Sequence, residues 1–185
     1  HVAGGEARRL TAHPTAPTSL TWAPDGSRVY FLAPDAKSPE EKERERLQDD
    51  VYAFEETNFK QRHLWAADLE GKTTRFTEGD FSVGQYALSP DGSRVAMSRT
   101  PSPLLEFSHL SEVWVMDASG AVPRQLTAGN RINERGLAIS PDNTRLLFTA
   151  DANEAMQGYH NGKVFVMPLS GGPARQVTPA SATYD

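Results

Sequence analysis

The sequence contains no cysteine, which removes disulfides, thiolate nucleophiles and cysteine-based zinc sites together. A chain without cysteine is at home in the cytoplasm or the periplasm, so the compartment stays open between the two. No apolar run approaches the roughly 20 residues that span a bilayer, and the opening residues His1-Val2-Ala3-Gly4-Gly5 do not make a signal peptide. A soluble chain with no membrane partner is expected, and because His1 stands where an initiator methionine would, the natural amino terminus is expected to lie upstream. There is also no basic stripe. Lys and Arg number 19 against 24 acidic residues, a net charge of −5, and nothing gathers to release counterions from a phosphate backbone, so nucleic acid is not an expected partner.

Motifs for chemistry are missing too. No Gly-x-Ser-x-Gly elbow occurs; Ser82 has Gly84 after it but Asp80 where the first glycine should stand. Phosphate loops, dinucleotide-binding glycine fingerprints and His-Glu-x-x-His are absent. The histidines at 1, 13, 63, 109 and 160 stand alone and read as surface or loop residues. Asp151, Asn153 and Glu154 lack the spacing of a calcium loop and read as a polar loop. No catalytic residue, cofactor or metal is therefore expected in this chain.

What is present is a repeat. Ala23-Pro24-Asp25-Gly26, Ser89-Pro90-Asp91-Gly92 and Ser140-Pro141-Asp142-Asn143 each lie between two β-prone runs. Pro presets φ at the second turn position, Asp accepts local backbone hydrogen bonds, and Gly or Asn tolerates left-handed φ at the fourth. A second marker ends in threonine: Arg9-Leu10-Thr11, Arg75-Phe76-Thr77, Gln125-Leu126-Thr127 and Gln176-Val177-Thr178. A third places an aromatic residue at one point of an apolar run, at Trp65, Trp114 and Phe165. With a period of about fifty, each repeat reads as four short strands, a propeller blade. The expected fold is all-β, a partial β-propeller of about three four-stranded antiparallel blades. The expected divisions are a blade end at 1–11, blades at 12–77, 78–127 and 128–178, and the start of another at 179–185.

The first repeat is longer than the others. Pro24 to Trp65 spans 41 residues where Pro90 to Trp114 and Pro141 to Phe165 span 24, leaving 17 extra, within the charged stretch 34–62. Ser38-Pro39-Glu40-Glu41 supplies an N-cap, a first-turn proline and a capping-box glutamate, so a short surface helix through Gln48 is expected, with Glu40 and Arg44 placed to pair. Beyond it, Glu55, Glu56, Arg62 and His63 form the densest charged group near aromatics (Tyr52, Phe54, Phe59). They are candidate substrate contacts for an amine or carboxylate, beside the plainer reading of a structural ion-pair group.

In an antiparallel blade the loop joining strands two and three shares a face with the connection to the next blade. The long segments 34–62, 101–111, 151–162, 78–85 and 128–136 therefore gather on one face, the expected functional side. An arc of about three blades does not close a ring, so more blades are expected, from the rest of the protein or by self-association through open blade edges.

The Ser-Pro-Asp-Gly turns, the strand 112–117 and the Arg-Gln-Leu-Thr ending resemble the WD40-like repeats of prolyl-oligopeptidase-family (S9) serine peptidases and of TolB-like propellers. The stretches 49–54, 60–65, 78–83 and 101–105 look more like the acylaminoacyl-peptidase and dipeptidyl-peptidase branch. The resemblance implies an amino-terminal propeller over a carboxy-terminal α/β-hydrolase domain that carries the serine, aspartate and histidine and cleaves peptides. In dipeptidyl-peptidases a paired glutamate from the propeller grips the substrate amine, and Glu55-Glu56 is similar in composition, though it falls before the third strand of a blade and not before the first. Two functions compete on this reading: a substrate-gating domain of a serine peptidase, and a TolB-like protein-binding scaffold without chemistry.

Overall fold

The Pro-Asp turns fold as their chemistry asks. The Asp25 carboxylate accepts from the Ser27 N–H at 2.9 Å and the Ser27 hydroxyl at 2.7 Å. Asp91 does the same for Ser93, at 2.9 and 2.8 Å, and Asp142 for Thr144, at 3.0 and 2.7 Å. The fourth residue takes left-handed φ each time, 70° at Gly26, 72° at Gly92 and 61° at Asn143, which is why Gly or Asn stands there. In the second and third repeats the leading serine adds a lock, its hydroxyl accepting from the Arg94 N–H at 2.8 Å and the Arg145 N–H at 2.9 Å.

Each turn returns one strand on another, and a computed structural model describing residues 4, 6–47, 59–153 and 155–178 shows the result. Blade I comprises β1 (Thr18–Trp22), β2 (Arg28–Pro34), β3 (Arg62–Asp68) and β4 (Thr73–Arg75). Blade II comprises β5 (Ser82–Leu88), β6 (Arg94–Thr100), β7 (Glu112–Asp117) and β8 (Arg124–Gln125). Blade III comprises β9 (Arg135–Ile139), β10 (Arg145–Ala152), β11 (Gly158–Pro168) and β12 (Arg175–Gln176). All three are antiparallel meanders. The chain is a partial β-propeller with a short helix inserted in its first blade.

The closing threonine acquires a role. Thr77, Thr127 and Thr178 each turn the side-chain hydroxyl back to accept a third-strand N–H, from Leu64 at 2.9 Å, Val113 at 2.8 Å and Val164 at 3.2 Å. β4, β8 and β12 are only two or three residues long, so this bond extends pairing that the ladder alone ends early.

The blades stack face on face, and both faces of an inner blade are apolar. Tyr30, Leu32, Leu64 and Ala66 of blade I meet Val95, Met97, Trp114 and Met116 of blade II. Ala96, Val113 and Val115, on the other face of blade II, meet Leu146, Phe148, Phe165 and Met167 of blade III. The aromatic marker faces the preceding blade each time; Trp65, lacking a blade there, packs with Phe31, Ala33, Ala67 and Leu10. Leu10 stands to blade I as Phe76 does to blade II and Leu126 to blade III. Arg8 donates to the Leu69 carbonyl at 3.0 Å just as Arg124 donates to that of Leu169 at 2.9 Å. Two faces remain open. Leu20 and Trp22 are 68% and 59% exposed, although their counterparts Tyr86 and Leu88 are packed. On blade III, Leu147 is 38% exposed, although its counterpart Ala96 is buried.

The inserted helix, α1 (Pro39–Arg46), has the full capping box: Glu41 N–H to the Ser38 hydroxyl at 3.2 Å and Ser38 N–H to the Glu41 carboxylate at 2.6 Å. It ends at Arg46, with Leu47 as its C-cap. The expected Glu40–Arg44 pair is replaced, among the described residues, by Lys37–Glu45, Arg46–Glu43 and Lys60–Glu41; the last ties α1 to the chain before β3. The expected loop 151–162 is shorter, because β10 and β11 continue pairing to Ala152 and Gly158. The Asn153 side chain makes the tight turn possible by accepting from the Ala155 and Gln157 N–H groups, both at 3.0 Å.

Candidate functional site

The long connections converge at the top of blade II. The β6–β7 loop, which includes a 3-10 helix at Leu105–Leu110, the connection before β9 and the starts of β3 and β5 enclose a crevice of about 290 Å³. Hydroxyls of Ser82, Ser98, Thr100, Ser102 and Ser108 and the amides of Gln85 and Asn133 are set in walls whose larger part is apolar, with Leu105 at the lip, 86% exposed.

Arg62, a sequence-stated candidate, forms one wall. Its backbone N–H donates to the Ser82 hydroxyl at 2.9 Å, and its guanidinium donates to the carbonyls of Val83 at 2.9 Å and Gly84 at 3.0 Å. The residue thus stitches blade I to blade II, and burial lowers its pKa. Gln85 makes the matching stitch to blade III, accepting from the Gly136 N–H at 2.8 Å.

The opposite wall holds residues that the sequence did not single out. Glu134 is fully buried; its carboxylate accepts from the Thr127 hydroxyl, the Val113 N–H at 3.1 Å and the Asn130 amide at 3.0 Å. Arg135 forks onto both oxygens of Asp151 at 2.7 and 2.8 Å, a bidentate pair that holds the Asp151 carboxyl below and the Arg135 guanidinium above their ordinary values. Asp151 is therefore an ion-pair partner here, and among the described residues no group of three or more His, Asp or Glu could hold a metal. The one available signal for Glu134 was an acidic residue set directly before the apolar start of a blade.

Of the other sequence-stated candidates, Glu55 and Glu56 lie outside the described residues. His63 is fully buried, with Nδ1 3.2 Å from the Thr77 hydroxyl and Nε2 3.5 Å from Asp35, which also receives Arg75 at 3.0 Å. Burial, followed by the Arg75 charge, lowers its pKa despite Asp35. Asp35, His63 and Thr77 have the order of a catalytic triad without its access: Thr77 is buried and its oxygen is occupied by the Leu64 N–H. Ser82 is buried as well, accepting from Arg62. The crevice can bind polar groups, and its described walls hold no activated nucleophile.

Burial raises the Glu134 pKa, with the Thr127, Asn130 and Val113 donors opposing it. A carboxyl whose pKa is raised on folding contributes stability that is present below the unfolded value and lost as pH rises through the folded one. Urea unfolding of the wild type and of Glu134→Gln from pH 4 to pH 8 is expected to show the wild type losing stability relative to the variant as pH rises. A gap independent of pH would mean that Glu134 titrates as an ordinary glutamate.

No protein-family model matches the sequence. Solved structures do resemble it. A TolB from Acinetobacter baumannii aligns at a TM-score of 0.54 and 17% identity over 89% of this chain and 32% of its own. A puromycin-hydrolyzing peptidase from Mycobacterium tuberculosis aligns at 0.65 and 17% over 94% of this chain and 24% of its own. The β-propeller domain of the Trilobed protease from Pyrococcus furiosus aligns at 0.52 and 16% over 84% of this chain and 40% of its own. The chain thus spans less than half the length of each of these three, and the shared fold that they establish is that of a β-propeller.

Proposed function

We propose that this chain is the non-catalytic propeller portion of a prolyl-oligopeptidase-family serine peptidase of the acylaminoacyl-peptidase or dipeptidyl-peptidase branch, admitting or selecting peptides for an α/β-hydrolase domain elsewhere in the protein. The observation that carries this reading is a crevice formed where the β6–β7 loop and the connection before β9 meet the starts of β3 and β5, with hydroxyls and amides set among apolar walls, a surface suited to an extended peptide with unpaired backbone groups. The fold shared with two proteases supports it. Blades divided at 12–77, 78–127 and 128–178 are part of the proposal, as are further blades against Leu20 and Trp22 at one end and Leu147 at the other. Glu55 and Glu56 remain proposed substrate contacts. A TolB-like scaffold that binds proteins without chemistry is the second reading, supported by the fold shared with a TolB.

Labelling the native protein with a fluorophosphonate and measuring its intact mass separates the two. A parent of several hundred residues, labelled on a serine beyond this segment, is the expected result, with the 185-residue chain alone hydrolysing no peptide. An unlabelled parent whose chain ends with its propeller would replace the peptidase reading by the scaffold.

A further inference from the structure

Away from the crevice, the end of β6 carries a cation that the described residues leave without a carboxylate. The Arg99 guanidinium carbon lies 4.0 Å from the centroid of the Phe81 ring and 4.5 Å from that of Trp114. One terminal nitrogen is sealed from solvent without a hydrogen-bond acceptor, and Nε reaches only the Met97 sulfur, at 3.4 Å. Two acids of the neighbouring strands are engaged elsewhere, and a third, Glu78, lines the same cavity without forming an ion pair to Arg99 among the described residues. Glu112, directly opposite on β7, accepts from the Gln125 amide and from the Gly129 N–H at 2.6 Å. Asp35 is held by Arg75 and His63. Beside Arg99 a cavity of about 220 Å³ opens between blades I and II, lined by Phe76, Thr77, Glu78, Phe81 and the turn at 120–123.

A desolvated guanidinium without an anion is costly, and one that rests on aromatic faces keeps its edge available for a planar, bidentate acceptor. The cavity is small, and Phe76, Phe81, Val122 and Pro123 stand among its polar lining groups, which leaves apolar wall for a carbon stem behind the charge. A single cation with Glu78 in the lining suits one negative charge better than the two of a phosphate. We propose that Arg99 and its aromatic cavity bind a carboxylate carried on an apolar stem, the acidic side chain or the carboxyl terminus of a peptide. This site stands apart from the proposed crevice and does not depend on the peptidase reading.

The test is a titration of the full chain with sodium butyrate, followed by the NMR signals of the Arg99 Nε–H and the Trp114 indole N–H, with sodium chloride as the ionic-strength control. Saturable shifts of both signals with butyrate are expected, absent with chloride and weakened about tenfold or more in Arg99→Met. Glu78→Gln is expected to bind more tightly, because a repelling charge is removed. N-acetyl-leucine and N-acetyl-aspartate amide then distinguish a terminal carboxylate from an acidic side chain by which saturates first. If Arg99→Met fails to fold, the wild-type Arg99 signal decides alone. Arg99 signals indifferent to butyrate, shifts unchanged in a folded Arg99→Met, or a response confined to Glu78→Gln, which would make Glu78 the resident partner, would each overturn the proposal.

Discussion

Phe148→Ala is expected to lower the unfolding free energy by about 3–5 kcal/mol, whereas Leu147→Ala, one residue earlier on the same strand, is expected to cost less than about 1 kcal/mol. Phe148 has no exposed surface and stacks on Phe165 with ring centroids 5.6 Å apart, in the layer between blades II and III. Truncation there leaves a cavity that two pleated sheets cannot collapse to fill. Leu147 points to the opposite face, paired across the sheet with Val166 and Ala138 and covered by no blade. Urea unfolding of both variants, at protein concentrations that span a hundredfold dilution, measures the difference. Equal costs would mean that the outer face of blade III is covered in solution, which for this chain alone means self-association. The repeat supplies the reason, since Ala96, the counterpart of Leu147, is fully buried by the blade that follows it.

Arg62→Met is expected to destabilise the chain by about 2–4 kcal/mol, because it strands two carbonyls that a charged donor had satisfied in a half-buried junction. Methionine keeps much of the apolar stem, so the loss reports the guanidinium bonds to Val83 and Gly84 more than packing. The same variant tests the site. A stitch between blades predicts a lowered unfolding midpoint, with Arg62→Lys recovering part of it through a single bond. A substrate contact predicts unchanged stability and lost peptide binding, and that outcome would return Arg62 to the role its sequence neighbourhood suggested.

Arg62 and His63 show why charge density near aromatics was an ambiguous signal. Adjacent on β3, they point to opposite sides of the sheet and meet different partners: Arg62 reaches carbonyls about twenty residues on, while His63 meets Thr77 and Asp35. Glu134 and Asp151 carry the same lesson. Asp151 read as part of a polar loop and Glu134 drew no reading, and each is committed by groups 4 to 21 residues away in sequence. Arg99 was invisible for a related reason, because its sandwich needs Phe81 and Trp114 brought to it from either side in sequence.

The sequence by itself determined the blades. The Pro-Asp turns and the capping box of α1 act over a few residues, so their chemistry is complete within a short segment whatever surrounds it, and the closing threonine recurs once per repeat. It also determined the number of blades, through the threefold turn motif. Only the tertiary structure decided which face of each blade meets which neighbour, because both faces of a stacked blade are apolar and strand alternation separates them without naming them. It likewise decided which charges are stitches and which stay unpaired. Those outcomes depend on bonds between blades, whose partners lie up to 67 residues apart and are set by how the sheets stack.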